Sequence, residues 1–253
     1  MAGRWILPVV CALAGCDTVF GFDRVYDCPI DDDDCDKLRD RVDPCPADPG
    51  DDADVDGDGV GDACDPELEA AVDSMVEFEG FATADARWME REPAMWQVVD
   101  SALVLDAGSV ERTTPMNSQP TVEAVVDPRF AGEGATVGVL VASKSSTGIP
   151  LECFVEHHAD GDDLVMVVGD RASPIYQARA RQLPAGAAGD SLRIYGGQLS
   201  NFVVRCRARY GNNDGLYVDW VFWNSRVDFD TIGFHVDQAS ADYRALAIYT
   251  TAL

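Results

Sequence analysis

Along most of the chain, apolar and polar residues alternate one for one. The pattern recurs at 76–81, 102–105, 121–126, 136–142, 151–156, 164–168, 191–195, 202–208, 217–223, 231–236 and 243–250. Successive side chains of an extended strand point to opposite faces, so this spacing predicts about eleven strands with one face buried. Breaks such as Asp160-Gly161, Gly196-Gly197 and the glycine- and asparagine-rich 211–215 separate them, as tight turns require. The one stretch with helical spacing is 67–75, E-L-E-A-A-V-D-S-M. Many short strands with almost no helix predict an all-β fold, an antiparallel β-sandwich over 67–253. No repeat of fixed period runs through it, which argues against a propeller or solenoid.

The first 66 residues follow another pattern. One arginine, Arg4, precedes an apolar run at 5–14 that is too short to span a bilayer as a helix and has the form of a secretory leader over 1–15. Leu13, Ala14, Gly15 and Cys16 then resemble a bacterial lipobox. The resemblance implies cleavage before Cys16, acylation of that cysteine, and a membrane anchor in the bacterial cell envelope, periplasmic or surface-facing. Residues 16–66 hold eighteen aspartates and no glutamate against Arg24, Lys37, Arg39 and Arg41. Such a segment has no apolar core of its own, so it is organised by metal or solvated. The whole chain has 19 basic and 45 acidic residues, a net charge of −26, which excludes a nucleic-acid partner.

Within that segment the aspartates fall into a readable order at 54–65, D-V-D-G-D-G-V-G-D-A-C-D. Ca²⁺ takes six to eight oxygens, and a twelve-residue loop supplies them from positions 1, 3, 5, 7, 9 and 12. Those positions are Asp54, Asp56, Asp58, the carbonyl of Val60, Asp62 and Asp65, with Gly59 at the sharp turn. A register starting at Asp52 also gives three alternating aspartates but places Ala63 at position 12. The wider run from Asp43 to Asp65, with Cys45-Pro46 and then D-x-D-x-D-G-x-G-D-x-C-D, resembles a thrombospondin type 3 repeat. That resemblance implies calcium held with little regular secondary structure, at the positions just named, and a spacer role for 43–66. Such repeats commonly come in strings, and one clear copy is present. Residues 16–42 are expected to be an acidic tether without a ligand of their own.

With Cys11 in the leader and Cys16 acylated, six cysteines are left, an even number suited to an oxidising compartment. Fifteen pairings are possible for six cysteines. Proximity favours Cys28–Cys35 and Cys45–Cys64, which leaves Cys153–Cys206 as a link between two strands of the sandwich. No C-x-x-C spacing suggests zinc.

The strand-rich part resembles the concanavalin A-like jelly roll of lectins, glucanases and laminin G-like domains. The features that carry the resemblance are an opening V-E-F-E-G-F, the segment W-Q-V-V-D-S-A-L-V-L from Trp96, the strand T-V-E-A-V-V, and a closing pair of strands from Thr231 and Tyr243. The E-x-D-x-E strand motif of its glucanase members is missing. Glu77 with Glu79, and Asp228 with Asp230, are the nearest pairs. Residues two apart share a strand face at a distance compatible with two working carboxylates, but an outward sandwich face is polar in any case. His157 and His158 point to opposite sides of a strand, and no nucleophile elbow or phosphate loop is present. Trp88, Trp96, Trp220 and Trp223 are expected in the core rather than on a sugar platform. The expectation is a non-catalytic jelly roll with a glycan or envelope-protein ligand, carried behind a calcium spacer on a membrane anchor. A surface glycoside hydrolase or lyase with an atypical site is the alternative.

Overall fold

In a computed structural model the described residues are 29, 31–50, 53–65, 73–83, 85–113, 120–142, 149–187, 189–200, 203–211, 213, 215–221 and 230–251. The leader, Cys16, Cys28 and the start of the tether lie outside them, as do Trp223 and Asp228. The regular elements among the described residues are thirteen antiparallel strands: β1 (Asp73–Glu79), β2 (Met89–Val99), β3 (Ala102–Thr113), β4 (Pro120–Phe130), β5 (Thr136–Ala142), β6 (Leu151–Glu156), β7 (Asp162–Asp170), β8 (Ser173–Leu183), β9 (Leu192–Ser200), β10 (Val203–Tyr210), β11 (Leu216–Val221), β12 (Thr231–Asp237) and β13 (Ala239–Thr251).

Hydrogen bonding follows the path β11-β10-β9-β4-β13-β3-β12-β5-β6-β7-β8, with β1 added to β13 and β2 to β3. The path folds over on itself. Leu103 to Leu105 of β3 pair with β13, whereas Gly108 to Thr113 pair with β12, so β3 passes from one layer to the other. As a result β9 faces β5 and β6, β10 faces β6 and β7, and β11 faces β7 and β8. Between the layers lies the core that the alternation foretells. Val137, Val139 and Val141 of β5 meet Leu151 and Val155 of β6, Leu164 and Met166 of β7, and Leu192 and Ile194 of β9. Tyr243 is wholly buried, and its hydroxyl donates to the carbonyls of Gly138 (2.9 Å) and His235 (3.1 Å), which satisfies a polar group that would otherwise be costly in the core.

The structure differs from the sequence expectations in two places. Asp73 to Met75, expected in a helical turn, begin β1, because their edge pairs with β13 from Thr251 to Tyr249. Strands β2 and β8 were not expected; β2 carries Pro93 and three register shifts along β3, and β8 turns Tyr176, Ala178, Ala180 and, at its end, Leu183 onto the core. The expected Cys153–Cys206 bond is present and joins β6 to β10, with Cα atoms 5.4 Å apart. These strands are not neighbours in the sheet, so the bond crosses the core between layers rather than linking paired strands. Gly196, beside Cys206 on β9, leaves the room: a Cβ there would stand 2.7 Å from Cys153 Sγ.

Candidate functional site

The acidic loop 54–65 folds by turning alternate carboxylates inward and tying them to backbone N–H groups. Gly57 and Gly59 donate to Asp54 (2.7 and 3.0 Å), Val60 donates to Asp58 (2.9 Å), and Val55 donates across the loop to Asp62 (2.9 Å). This needs φ of 80° at Gly57 and 94° at Gly59, a region that residues with a Cβ adopt at a cost. Asp54, Asp56 and Asp58 each bring an oxygen within 4.8 Å of the others. Among the described residues, Asp56 Oδ2 is shielded from solvent without a hydrogen-bond partner. Desolvation, with Asp58 and Asp54 alongside, pushes its carboxyl above the usual value. An all-oxygen donor set with an unused inward lone pair fits a hard divalent cation. Asp62 and Asp65 are outside that threefold group; Asp65 is buried at the loop's end.

The loop is fastened to the sandwich. Cys45, Val60, Ala63 and Cys64 bury against Ala247 and Tyr249 of β13, with Met75 and Phe78 of β1 at the edge. The Cys45–Cys64 disulfide holds the two ends of the segment together. Beneath it, Arg193 reaches Glu123 (2.6 Å), Asp48 (2.8 Å) and the Ala47 carbonyl (3.0 Å), Tyr249 donates to Glu123 (3.0 Å), and Arg209 donates to the Ala63 carbonyl. Burial works against the charge of Arg193, but Glu123, then Tyr195 and Asp48, outweigh it and raise its pKa above the ordinary value. Asp73 N–H donates to Asp58 (2.8 Å), tying the loop to the start of β1. The described residues of 43–65 therefore lie on the outer face of one layer, not away from it. The physical reason is that Tyr249, Ala247 and the Glu123–Arg193 pair need cover, and this segment supplies it. The end of the expected tether is folded as well: Cys35 is disulfide-bonded, and burial with neighbouring carboxylates pushes Asp33 up to about 6 and Asp34 up to about 7.

The candidate carboxylate pair on β1 is occupied. Arg112 is wholly buried and sets Nη1 2.9 Å from Glu77 and 3.1 Å from Glu79. Trp88 Nε1 donates to Glu79 (3.1 Å), and Arg87 meets Glu77 at 3.0 Å. Burial raises the Glu79 carboxyl, and Arg112 and Trp88 oppose the rise. Asp230 accepts from the Thr231 hydroxyl; its expected partner Asp228 lies outside the described residues. Trp88 stacks on Phe234 at 4.9 Å in the core, Trp96 packs against the core, and Trp220 stacks on Tyr176 at 5.6 Å.

His157 and His158 lie just past the end of β6, not on a strand, and their side chains go to different partners. His157 sits 2.7 Å from Asp162 and stacks on Phe130, while His158 lies 3.0 Å from Glu156. His235 has a different setting. On the outer face of the other layer, a polar cleft gathers Arg91, Glu92, Ser109, Glu152, Arg171 and His235. Arg171 pairs with Glu152, places Nη1 2.8 Å from His235 Nε2, and covers the Phe154 ring at 4.5 Å. Sequence reasoning did not single out Glu152 or Arg171; the outward position of Glu152 between Leu151 and Cys153 was the available signal. Burial, then Arg171 and Arg91, push the His235 imidazole down to about 3. The unfolded chain binds that proton near pH 6.5 and the folded one does not, so this contribution to stability is complete above pH 6.5 and is lost as pH falls towards 3. Urea midpoints measured from pH 7 to 4 should fall, and His235→Gln should flatten the decline.

No protein-family model and no curated protein matches the sequence. Solved structures do match by shape. A prokaryotic β-1,3-1,4-glucanase (lichenase) derived from a mouse hindgut metagenome aligns with TM-score 0.51 at 10% identity, over 68% of this chain and 97% of that one. A legume lectin-like domain from Entamoeba histolytica aligns with TM-score 0.50 at 10% identity, over 66% and 91%. The fold is a concanavalin A-like jelly roll. A xylan β-1,4-xylosidase from Bacillus halodurans also aligns, with TM-score 0.50 at 14% identity, over 69% of this chain and 39% of the enzyme. The jelly roll thus recurs in lectin-like domains and hydrolases alike, and its shape alone selects neither activity.

Proposed function

We propose that this protein is an exported lipoprotein of the bacterial envelope, acylated at Cys16, in which a calcium loop braces a non-catalytic jelly roll that binds a glycan or an envelope protein. The observation that carries the reading is the seating of 54–65 on β13 and β1, with three carboxylates converging and one oxygen unspent. Asp54, Asp56, Asp58, the Val60 carbonyl, Asp62 and Asp65 would hold the ion. Bound calcium would supply the positive charge that offsets their mutual repulsion. The binding face is the cleft of Arg91, Glu92, Ser109, Glu152, Arg171 and His235, where paired donors and acceptors border the apolar Phe154. Among the described residues no helix is long and apolar enough to cross a membrane, and Cys16 is the attachment point.

Its test is a glycan array run on the exported chain with and without calcium. The reading expects discrete binders, at least fivefold weaker in Arg171→Ala; an empty array together with no co-purifying envelope protein counts against it. Labelled palmitate should enter the wild type and not Cys16→Ser. The raised carboxyl of Glu79 beside Glu77 favours a second reading, a surface glycoside hydrolase or lyase. A Glu79→Gln variant that loses measurable activity on a polysaccharide panel would establish that reading over the first.

A further inference from the structure

Residues 32–43 repeat the loop at 54–65, position for position, at a constant offset of 22 residues (54 against 32). Asp32, Asp34, Asp36, Leu38, Asp40 and Asp43 take the places of Asp54, Asp56, Asp58, Val60, Asp62 and Asp65. The hydrogen bonds correspond as well. Asp33 N–H donates to Asp40 (2.9 Å) where Val55 donates to Asp62, and Lys37 donates to Asp32 (3.1 Å) where Gly59 donates to Asp54. Leu38 donates to Asp36 (2.6 Å) where Val60 donates to Asp58, and Asp40 donates to the Asp31 carbonyl (2.9 Å) where Asp62 donates to that of Ala53 (2.7 Å). Cys35 and Lys37, at φ 67° and 87°, hold the left-handed positions that Gly57 and Gly59 hold at 80° and 94°.

A shared loop shape is not yet a site. What points to a ligand is Asp32. Its residue is only 3% exposed, and among the described residues its Oδ1 has no hydrogen-bond partner. Asp32, Asp34 and Asp36 bring oxygens within 4.8 Å of one another. No cationic side chain among the described residues pairs with any of the three: Arg39 turns outward to Asp31 at 3.3 Å, both well exposed. Three carboxylates brought together with a buried, unshared lone pair and no counter-charge are an arrangement that burial disfavours unless a cation completes it.

We propose that Asp32, Asp34 and Asp36, closed by Asp40 and Asp43, form a second site for a hard divalent cation, calcium by its all-oxygen donors. Position 6 is Lys37 rather than glycine, and its exposed side chain leaves the ligand ring clear. The second site also reaches the sandwich. Asp33 occupies the space beside Gly80, just past β1, where any Cβ would collide with its carboxylate. The two loops and β1 line one cleft that includes Asp40, Asp43, Asp58 and Glu77. The protein would therefore carry two cations side by side along one edge strand. This inference goes beyond the single ion of the proposed function and stands or falls apart from it.

The test is ion counting by native mass spectrometry, with calorimetry, on the whole exported chain carrying Cys16→Ser in calcium. The wild type should hold two ions, Asp34→Asn one, Asp56→Asn one, and the double variant none; magnesium at equal concentration should not replace them. A wild type that holds one ion, abolished by Asp56→Asn and kept by Asp34→Asn, overturns the second site while leaving the first. A wild type that holds none overturns both. Should Asp34→Asn fail to fold, Asp36→Asn replaces it, and two ions retained in that folded variant overturn the proposal.

Discussion

Replacing Arg112 with leucine is expected to lower the unfolding free energy by about 3 kcal/mol, because it takes the paired cation from the part-buried Glu79 and leaves Glu77 and Asp85 to Arg87 alone. Arg112 is wholly buried, and its Nη1 stands within 3.1 Å of both Glu77 and Glu79, with Asp85 at 3.7 Å. Its guanidinium also lies over Trp88, 5.4 Å from the ring centre, so the change removes a cation–π contact from the core edge. Urea unfolding followed by tryptophan fluorescence measures the loss. Glu79→Gln added to Arg112→Leu should recover part of it, since the amide has no charge to strand. A loss under about 1 kcal/mol, with no coupling between the two changes, would mean that these carboxylates do not depend on Arg112.

The second large effect belongs to the bond through the core. Cys153 and Cys206 are separated by 53 residues, and closing a loop of that size restricts the unfolded chain by about 4 kcal/mol. Cys153→Ala with Cys206→Ala should therefore lower the thermal midpoint of the whole sandwich by roughly 10 °C. Loss of Cys45–Cys64, separation 19, should act locally, loosening 43–65 while the strands keep their midpoint. Differential scanning calorimetry separates the two, and equal global losses would contradict this division.

These effects also show what was legible in the sequence. Strands such as β10 could be read because Val204, Cys206 and Ala208 face the core while Arg205 and Arg207 on the other side stay half-exposed; one buried side leaves a period of two. Strand β2 was hidden because its first half, 89–93, is exposed throughout, and where Ala94, Trp96 and Val98 do turn to the core the exposed side carries the apolar Met95 and Val99, so no polar alternation shows. The loop at 54–65 was legible from glycine at its left-handed turns. Its twin at 32–43 was hidden because Cys35 and Lys37 stand at those turns, and the motif is recognised by residue type rather than by φ. The seating of 43–65 on the sandwich was hidden for another reason. Glu123, Arg193 and Tyr249, which hold it, are scattered over three strands far along the chain, and only the folded sheet brings them together. The carboxylates Glu77 and Glu79 looked like a candidate pair until Arg112, thirty-five residues downstream of Glu77, was seen between them.

The central claim is that a cation organises the acidic segment on the face of the jelly roll. Hydrogen exchange of the backbone amides at 53–65, measured on the full exported chain in calcium and then in EDTA, tests it most directly. Gly57, Gly59 and Val60 N–H groups donate to Asp54 and Asp58, and they should exchange at least tenfold faster once calcium is withdrawn, while amides of β5 and β6 stay unchanged. Equal exchange at 53–65 in calcium and in EDTA would contradict the account.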